Sequence, residues 1–503
     1  MVDVVPTTVD ETKTSDTQIV FNNTLIMITR RAVLWVFSGV MVLFLPRYLG
    51  DEGLGQLAFA QSIAALFTTV LTLGLGEYLV KEIARNRSLI HTHLGSAIGL
   101  RLVMSLVVVG SIFLVANFTG QSETARLVLY VAAATAIAQS FVRLMSAVLY
   151  GIENMSLSAI AEVAGRVLVI AVGVPVLIQS NSVVAYAVVL LGGMLINLAI
   201  TVLQVANRFP IRINLDMPKI KSLVIGSTPF LLMGIMLDVY NQTDTIVLRA
   251  FTSDAVVGWY AAANNVYKTI DMLPLALTAA ILPTLSRVHH SGATASITIA
   301  KKGITVGAII IVPLALGISL FSEVIIDTLP DPDTFQNTVP LLTILALTIP
   351  VTTFLMILGT IAVAVDRQKA WAIALFATVI LNVILNVIAA PLFQTHYGNG
   401  GIGVALTTLL TEGFMVGIGI WLMPKGVIDR AMVSTIARVL ISGGIMTAAV
   451  FLTKYAGLGP AAMVGIGGVT YGVAALATRA ITKGDIRFIR DTAASKWKAI
   501  RPS

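Results

Sequence analysis

Apolar residues fill this chain in long blocks separated by short polar breaks, and each block runs well past the length of an ordinary core helix. Reading the blocks against the charge, Pro and Gly clusters between them predicts fourteen spans. They fall at about 25–46, 57–80, 94–118, 125–150, 157–179, 183–206, 222–250, 256–286, 303–325, 338–364, 370–393, 400–423, 433–455 and 459–481. A helix that crosses a bilayer needs about 20 largely apolar residues, and all fourteen blocks are of that order. The eighth contains Pro274 and Pro283, so a kink or tilt is expected there. The predicted fold class is an all-α polytopic membrane protein.

Composition points the same way. The chain is 57% hydrophobic and 12% charged, against about 25% charged in ordinary soluble proteins. A soluble domain would need a larger polar shell. There is no cysteine, which excludes a disulfide framework, a thiolate metal site and a cysteine nucleophile. The histidines (His91, His93, His289, His290, His396) fall in expected loops. No HExxH, Walker loop or GxSxG occurs, so neither ATP-driven pumping by this chain alone nor catalysis is expected. The first 18 residues are polar and acidic without an apolar core. They do not read as a cleavable signal peptide; a short disordered tail is expected, leading into the amphipathic stretch IVFNNTL.

Lys and Arg set an orientation. Of the 33, only Arg47, Arg126, Arg249 and Lys454 fall on one side of the predicted spans, with Lys268 inside span eight and the remaining 28 on the other side. The bias alternates at every loop, which predicts a cell-membrane protein with both termini cytoplasmic. It also accounts for the net charge of +8 as topology and lipid-headgroup contact, with no nucleic-acid partner expected.

The stretch YLGDEGLGQLAFAQSI (48–63), entering span two, echoes FTSDAVVGWYAAANNV (251–266), entering span eight. Each places an acid and then a glycine, Gly55 or Gly258, before a small-residue helix start. YGIENMSLSAI (150–160), after span four, likewise echoes AVDRQKAWAI (364–373), after span ten. Both pairs lie six spans apart, which predicts parallel repeats about an axis along the membrane normal. The expected organisation is a tail (1–20), a first lobe of spans one to six (21–206), a second lobe of spans seven to twelve (207–424), an appended pair (425–482) and a basic cytoplasmic tail (483–503), with a cavity between the lobes.

RYLGDEGLGQLAFAQSIAALF (47–67), LGLGEYLVKEIAR (73–85), YGIENM (150–155), DVYNQTDTIVL (238–248), VGWYAAANNVYK (257–268), LPLALTAAILPTLSR (273–287), VDRQKAW (365–371) and LFQTHYGNGGIGVALTTLLTE (392–412) occur in this order. In that order and spacing the chain resembles the polysaccharide transporter (Wzx-type) family of lipid-linked oligosaccharide flippases. That family sits within the larger superfamily that includes multidrug/cation antiporters. The resemblance covers about residues 20–425. It implies a V-shaped bundle working by alternating access on a polyprenyl-diphosphate oligosaccharide.

Charges at membrane depth cost about 2.5–3.5 kcal/mol each on insertion scales, so they face a cavity or a partner. The first lobe carries Arg30, Arg31, Arg101, Arg143 and Arg166 in the cytoplasmic half of their spans. A guanidinium fork matches phosphate oxygens two at a time; Arg30, Arg31, Arg101 and Arg143 are therefore the candidate substrate-binding residues, the alternative being headgroup snorkelling. Arg166 is set aside because Glu162, four residues earlier, is expected to neutralise it. The second lobe carries Asp238, Asp244, Asp271 and Glu412. These are candidates for coupling to H+ or Na+, with no other cofactor expected; Asn241 and Asn264 are possible neighbours, and Lys268 is an alternative partner for Asp271. Gln139, Asn197, Asn382 and Asn386 are read as interhelical hydrogen-bond donors and acceptors, and GNGGIG (398–403) as a tight turn.

Two other functions compete. A cation-coupled exporter of drugs and amphipaths would share the architecture, although lumenal arginines disfavour cationic cargo. A membrane glycosyltransferase or polysaccharide polymerase would be expected to carry its acids on a sizeable external loop. Here the longest such loop, about 326–337 with Asp327, Asp331 and Asp333, is short. The expected partners are lipid-linked oligosaccharide and membrane lipid, with the glycosyltransferases or polymerase of polysaccharide assembly as further candidates.

Overall fold

The computed structural model describes residues 9–118, 121–211, 213–270, 274, 293–329, 332–423 and 426–481, with the backbone alone at 9–28, 31, 32, 293–300 and 364. The described residues are helical throughout, with short connections. In the first half the helices are α1 (Val9–Thr72), α2 (Leu75–Arg85), α3 (Leu89–Phe118), α4 (Glu123–Gly151), α5 (Met155–Ser180), α6 (Val183–Ala206), α7 (Met217–Phe251) and α8 (Asp254–Ile270). In the second half they are α9 (Ala293–Leu320), α10 (Ser322–Asp327), α11 (Val339–Ala364), α12 (Gln368–Tyr397), α13 (Gly400–Leu422), α14 (Arg430–Tyr455) and α15 (Pro460–Ala477).

Among the described residues, twelve helices are long and apolar enough to cross a membrane. The first of these segments, Val33–Thr72, has 40 residues and would rise about 60 Å, twice the hydrocarbon thickness. It is two spans joined at Gly50, whose φ of 66° lies in the left-handed region. These helices account for predicted spans one to seven and nine to fourteen. Of span eight, α8 and Pro274 are described, and Pro283 lies outside the described residues. The chain is a multi-pass helical membrane protein. Its outer faces present large apolar side chains such as Leu106, Phe113, Leu203 and Leu452.

Two expectations are corrected. Helix α1 begins at Val9, inside the segment read as a disordered tail; no Gly or Pro interrupts residues 7–38. Span two ends at Thr72 and not at 80, because Leu73 and Gly74 both take left-handed backbone angles (φ 51° and 67°). The continuation, α2, is a separate amphipathic helix that buries Leu75, Leu79 and Ile83 on one face, the spacing expected of a helix lying against a bundle. The apolar run L-G-L-G hid this break.

Local chemistry sets the other ends. Ser122 caps α4 by accepting from the Ala125 amide, Ser182 caps α6 from Ala185, and Asp216 caps α7 from Lys219. At 398–403 the predicted turn is present: Gly398 closes α12 with φ 67°, and Asn399 caps α13 by accepting from the Gly401 amide. Each cap satisfies amides that a helix end leaves open.

The chain divides into two compact units, Met1–Gly258 and Trp259–Ser503. In the first, the connections alternate between two ends of the bundle. The turns after α1 and α2 and the α4–α5 and α6–α7 connections share one end, called here the basic end. Gly50 and the α3–α4, α5–α6 and α7–α8 connections share the other.

The internal repeat is visible in local structure. After α4, Ile152, Glu153 and Asn154 donate amides to Val148, Tyr150 and Leu149. After α11, Val365, Asp366 and Arg367 donate to Ile361, Val363 and Ala362 in the same pattern. Glu153 and Asp366 both take the left-handed conformation, φ 64° and 58°, in a helix-closing position that usually belongs to glycine. The other echo meets within the first unit: Gly55 lies against the Asp254 carbonyl and Gly258 against the Asp51 carbonyl.

Candidate functional site

Five elements of the first unit, α1, α2, α4, α5 and α6, enclose a cavity of about 700 Å³. Helix α4 supplies one wall through residues at helical spacing: Val128, Ala132, Thr135, Gln139, Arg143 and Tyr150. That stripe runs from apolar to cationic along the helix, and the neighbouring helices follow it. Leu57, Ala187 and Leu190 line the cavity away from the basic end, whereas Arg30, Glu77, Glu162 and Arg166 line it close to the basic end. Among the described residues, the charged residues of the lining are therefore gathered at one end.

Within that end one arginine is held by the protein. Arg30 lies 3.0 Å from Glu162 as an ion pair and donates to the Tyr150 hydroxyl at 3.2 Å. Tyr150 also stands 3.3 Å from the Ser158 hydroxyl, which is 2.9 Å from that of Ser146. Arg143 and Arg166 are exposed, line the cavity and have no ion-pair partner among the described residues. Among the described residues, three cations and two carboxylates leave this end net positive, and the arginines left unpaired are the ones open to a ligand. Guanidinium groups bind phosphate or carboxylate through paired, charge-assisted hydrogen bonds.

The predicted substrate-binding residues divide as follows. Arg30 and Arg143 line the cavity. The side chain of Arg31 lies outside the described residues. Arg101, expected on the cavity wall, is fully buried behind it at 0% exposure. It donates to the Ser140 carbonyl and, at 3.2 Å, to the Thr72 carbonyl. The break after Thr72 leaves the last carbonyls of α1 without helical partners, and a guanidinium answers both their hydrogen-bonding need and the negative end of the helix dipole. Arg101 is thus a clamp between α1 and α4. Arg166, set aside on sequence, belongs to the cavity instead, because Glu162 pairs across helices with Arg30 and not along its own helix. Glu77 and Gln61 were also missed: both sit in stretches that read as part of one apolar span.

The acids separate by unit. In the first, the Thr69 hydroxyl donates to Asp238, and Asp244 is half-buried on the same helix. In the second, Glu412 is 2% exposed and accepts from the Thr352 hydroxyl at 2.5 Å, which is 3.1 Å from the Tyr267 hydroxyl. Asp271 lies outside the described residues. Asn241, a predicted neighbour, donates back to its own helix at Leu237. Among the predicted interhelical amides, Asn382 bridges α12 to Thr411 of α13 at 3.3 Å and receives Asn386 at 3.1 Å. Asn197 accepts from Thr201 of its own helix.

Residues 20–289, more than half of the chain, match the family model described as polysaccharide biosynthesis protein, and residues 229–388 match a second, described as MatE. A Haloferax volcanii protein named probable flippase AglR is 27% identical over 216 residues, which cover 42% of this chain and 44% of that protein. Among solved structures, the lipid II flippase MurJ in an inward closed conformation is similar, with a TM-score of 0.72 and 13% identity over 91% of this chain and 99% of that one. An inward-facing multidrug resistance MATE family transporter of the MOP superfamily follows at 0.57 and 16% identity, over 77% and 97%. Identities this low speak to the fold, which the chain shares with both.

Proposed function

The chain belongs to the polysaccharide biosynthesis protein family, and on that premise we propose that it flips a lipid-linked, polyprenyl-diphosphate oligosaccharide between membrane leaflets by alternating access. The observation that carries this reading is the pair Arg143 and Arg166, exposed at the charged end of the cavity without ion-pair partners among the described residues. A diphosphate leaving water needs counter-charge, and two guanidinium groups beside a third that is already neutralised supply it. The matched relative AglR is named as a probable flippase, and the fold is shared with the lipid II flippase MurJ, which supports a flippase reading. The Lys and Arg distribution supports a cell-membrane protein with cytoplasmic termini, so that the charged end faces the cytoplasm and flipping runs outward. Enzymes that build or polymerise the sugar are the partners this role calls for.

The second reading, an exporter of drugs or amphipaths, draws on the MatE match at residues 229–388. A net-positive cavity end disfavours the cationic compounds such exporters would carry. Purified protein in vesicles loaded with a lipid-linked oligosaccharide tests both. The native protein should expose the sugar on the opposite leaflet, and Arg143→Gln with Arg166→Gln should slow this at least tenfold, the order expected for loss of charged hydrogen bonds. Extrusion of a cationic dye without any sugar movement would overturn the flippase reading in favour of the second.

A further inference from the structure

Between the charged end of the cavity and its apolar end lie two neutral amides, Gln61 on α1 and Gln139 on α4. Gln61 is exposed and Gln139 half-buried, and neither makes a hydrogen bond or ion pair with the described residues. Gln139, read from sequence as interhelical, has no such role here. Facing the cavity and unbonded to the described residues, each amide has its donors and acceptor available to whatever fills the cavity.

Helix α4 gives the spacing. Gln139 precedes Arg143 by four residues and follows Thr135 by four, which sets about 6 Å between each pair along the axis. Thr135 turns its hydroxyl back to the Val131 carbonyl at 2.9 Å, and beyond it the wall is Ala132 and Val128. A diphosphate held at Arg143 therefore presents its next group, one short step along α4, to Gln139, with Gln61 of α1 lining the same cavity.

Resting on the flippase reading, we propose that Gln61 and Gln139 bind the first sugar of the lipid-linked chain and make transport selective for its hydroxyl and amide substituents. Each carboxamide carries one acceptor and two donors, which suits sugar hydroxyls that both give and accept hydrogen bonds. A site built to hydrogen-bond a substrate discriminates against analogues that lack the group, because its own polar atoms are then left unpaired.

The test uses the full-length protein in lipid nanodiscs with three probes: a short-chain prenyl diphosphate, and the same prenyl diphosphate carrying either one hexose or one N-acetylhexosamine. The native protein should bind at least one sugar-bearing probe about tenfold more tightly than the bare diphosphate, the order expected for two neutral hydrogen bonds. Gln61→Leu with Gln139→Leu should abolish that gain and leave affinity for the bare diphosphate unchanged, which also reports that the variant is folded. The single Gln61→Ala variant, at an exposed position, should remove part of the gain. Equal affinity of the native protein for all three probes, or an equal loss for all three in the variants, would overturn the sugar subsite. No binding of the bare diphosphate to native protein, or binding that Arg143→Gln does not weaken, would instead overturn the flippase reading beneath it.

Discussion

Gly55 and Gly258 each sit against the backbone carbonyl of the aspartate four residues before the other, Gly55 against Asp254 and Gly258 against Asp51. Such a reciprocal contact is what a local two-fold relation between two helix starts produces. Around it, Gln56 donates to Asp254 at 3.2 Å, Arg249 pairs with Asp254 at 2.5 Å, and Arg249 donates to Gln121 at 2.9 Å. The start of α8 is thereby fastened to the second half of α1 and to the α3–α4 connection, at the end of the first unit away from its cavity charges.

No side chain fits at either glycine. A Cβ on either would stand closer than 3.0 Å to backbone, which a rotamer change cannot relieve. Gly55→Ala and Gly258→Ala should each destabilise the protein by at least the about 1–3 kcal/mol typical of overpacking. Thermal unfolding in detergent checks this; a melting temperature equal to that of the native protein would show that the two helices do not meet as described.

Arg101 should behave as a stability residue. Arg101→Met removes the donor to the Thr72 and Ser140 carbonyls and leaves a fully buried site underfilled. Unsatisfied buried acceptors cost about 1–3 kcal/mol each, so a loss of about 3 kcal/mol or more is expected. The measurement is yield and melting temperature together with binding of a prenyl diphosphate by the folded fraction. Normal melting with lost binding would make Arg101 a ligand contact.

Arg101 marks what a single sequence can and cannot tell. Spans one to seven and nine to fourteen were legible because bilayer thickness and lipid exposure constrain every residue of a span, and both repeat echoes have a counterpart in local structure. The depth of Arg101 was legible too, but depth does not say which way a side chain points. Its role came from the break at Leu73–Gly74, where two left-handed residues interrupt a run whose hydropathy is unbroken. Glu162 is a similar case. A partner four residues away on its own helix was visible in the sequence, whereas Arg30, 132 positions earlier, became its partner only through the packing of α1 on α5. The unpaired arginines, which define the candidate site, follow from that choice.

Outside the spans, pH provides a separate check. The hydrogen bond from Lys301 holds the Asp429 carboxyl below its ordinary range, with help from the Met432 amide. A depressed folded-state value means that this ion pair contributes stability above the unfolded value, about 3.9, and loses it as pH falls through the lower folded value. Asp429→Asn keeps the helix cap and removes only the charge. The variant should melt slightly below native protein at pH 6–7, and the gap should close as pH falls below about 4. A gap that widens in acid would exclude this pair as its source.

The two carboxylates that accept threonine hydroxyls offer a last and sharper test. Asp238 accepts from Thr69 in the first unit, and Glu412 from Thr352 in the second. A carboxylate beside a hydroxyl within a bundle offers two kinds of oxygen to a transported cation, which is what coupling would require. Asp238→Asn and Glu412→Gln keep the size and the acceptor while removing the charge. If either carboxylate couples transport to an ion, its variant should still bind prenyl diphosphate but move the lipid-linked sugar at a rate that no longer responds to an imposed proton or sodium gradient. The native protein should respond to one of those gradients; with one proton exchanged per cycle, a pH difference of one unit shifts the equilibrium distribution of cargo between leaflets by about tenfold. Vesicle flipping assays with each gradient set separately decide the matter. Indifference of the native protein to both gradients would remove the coupling role from both residues. A gradient response that survives in one variant would remove it from that residue alone.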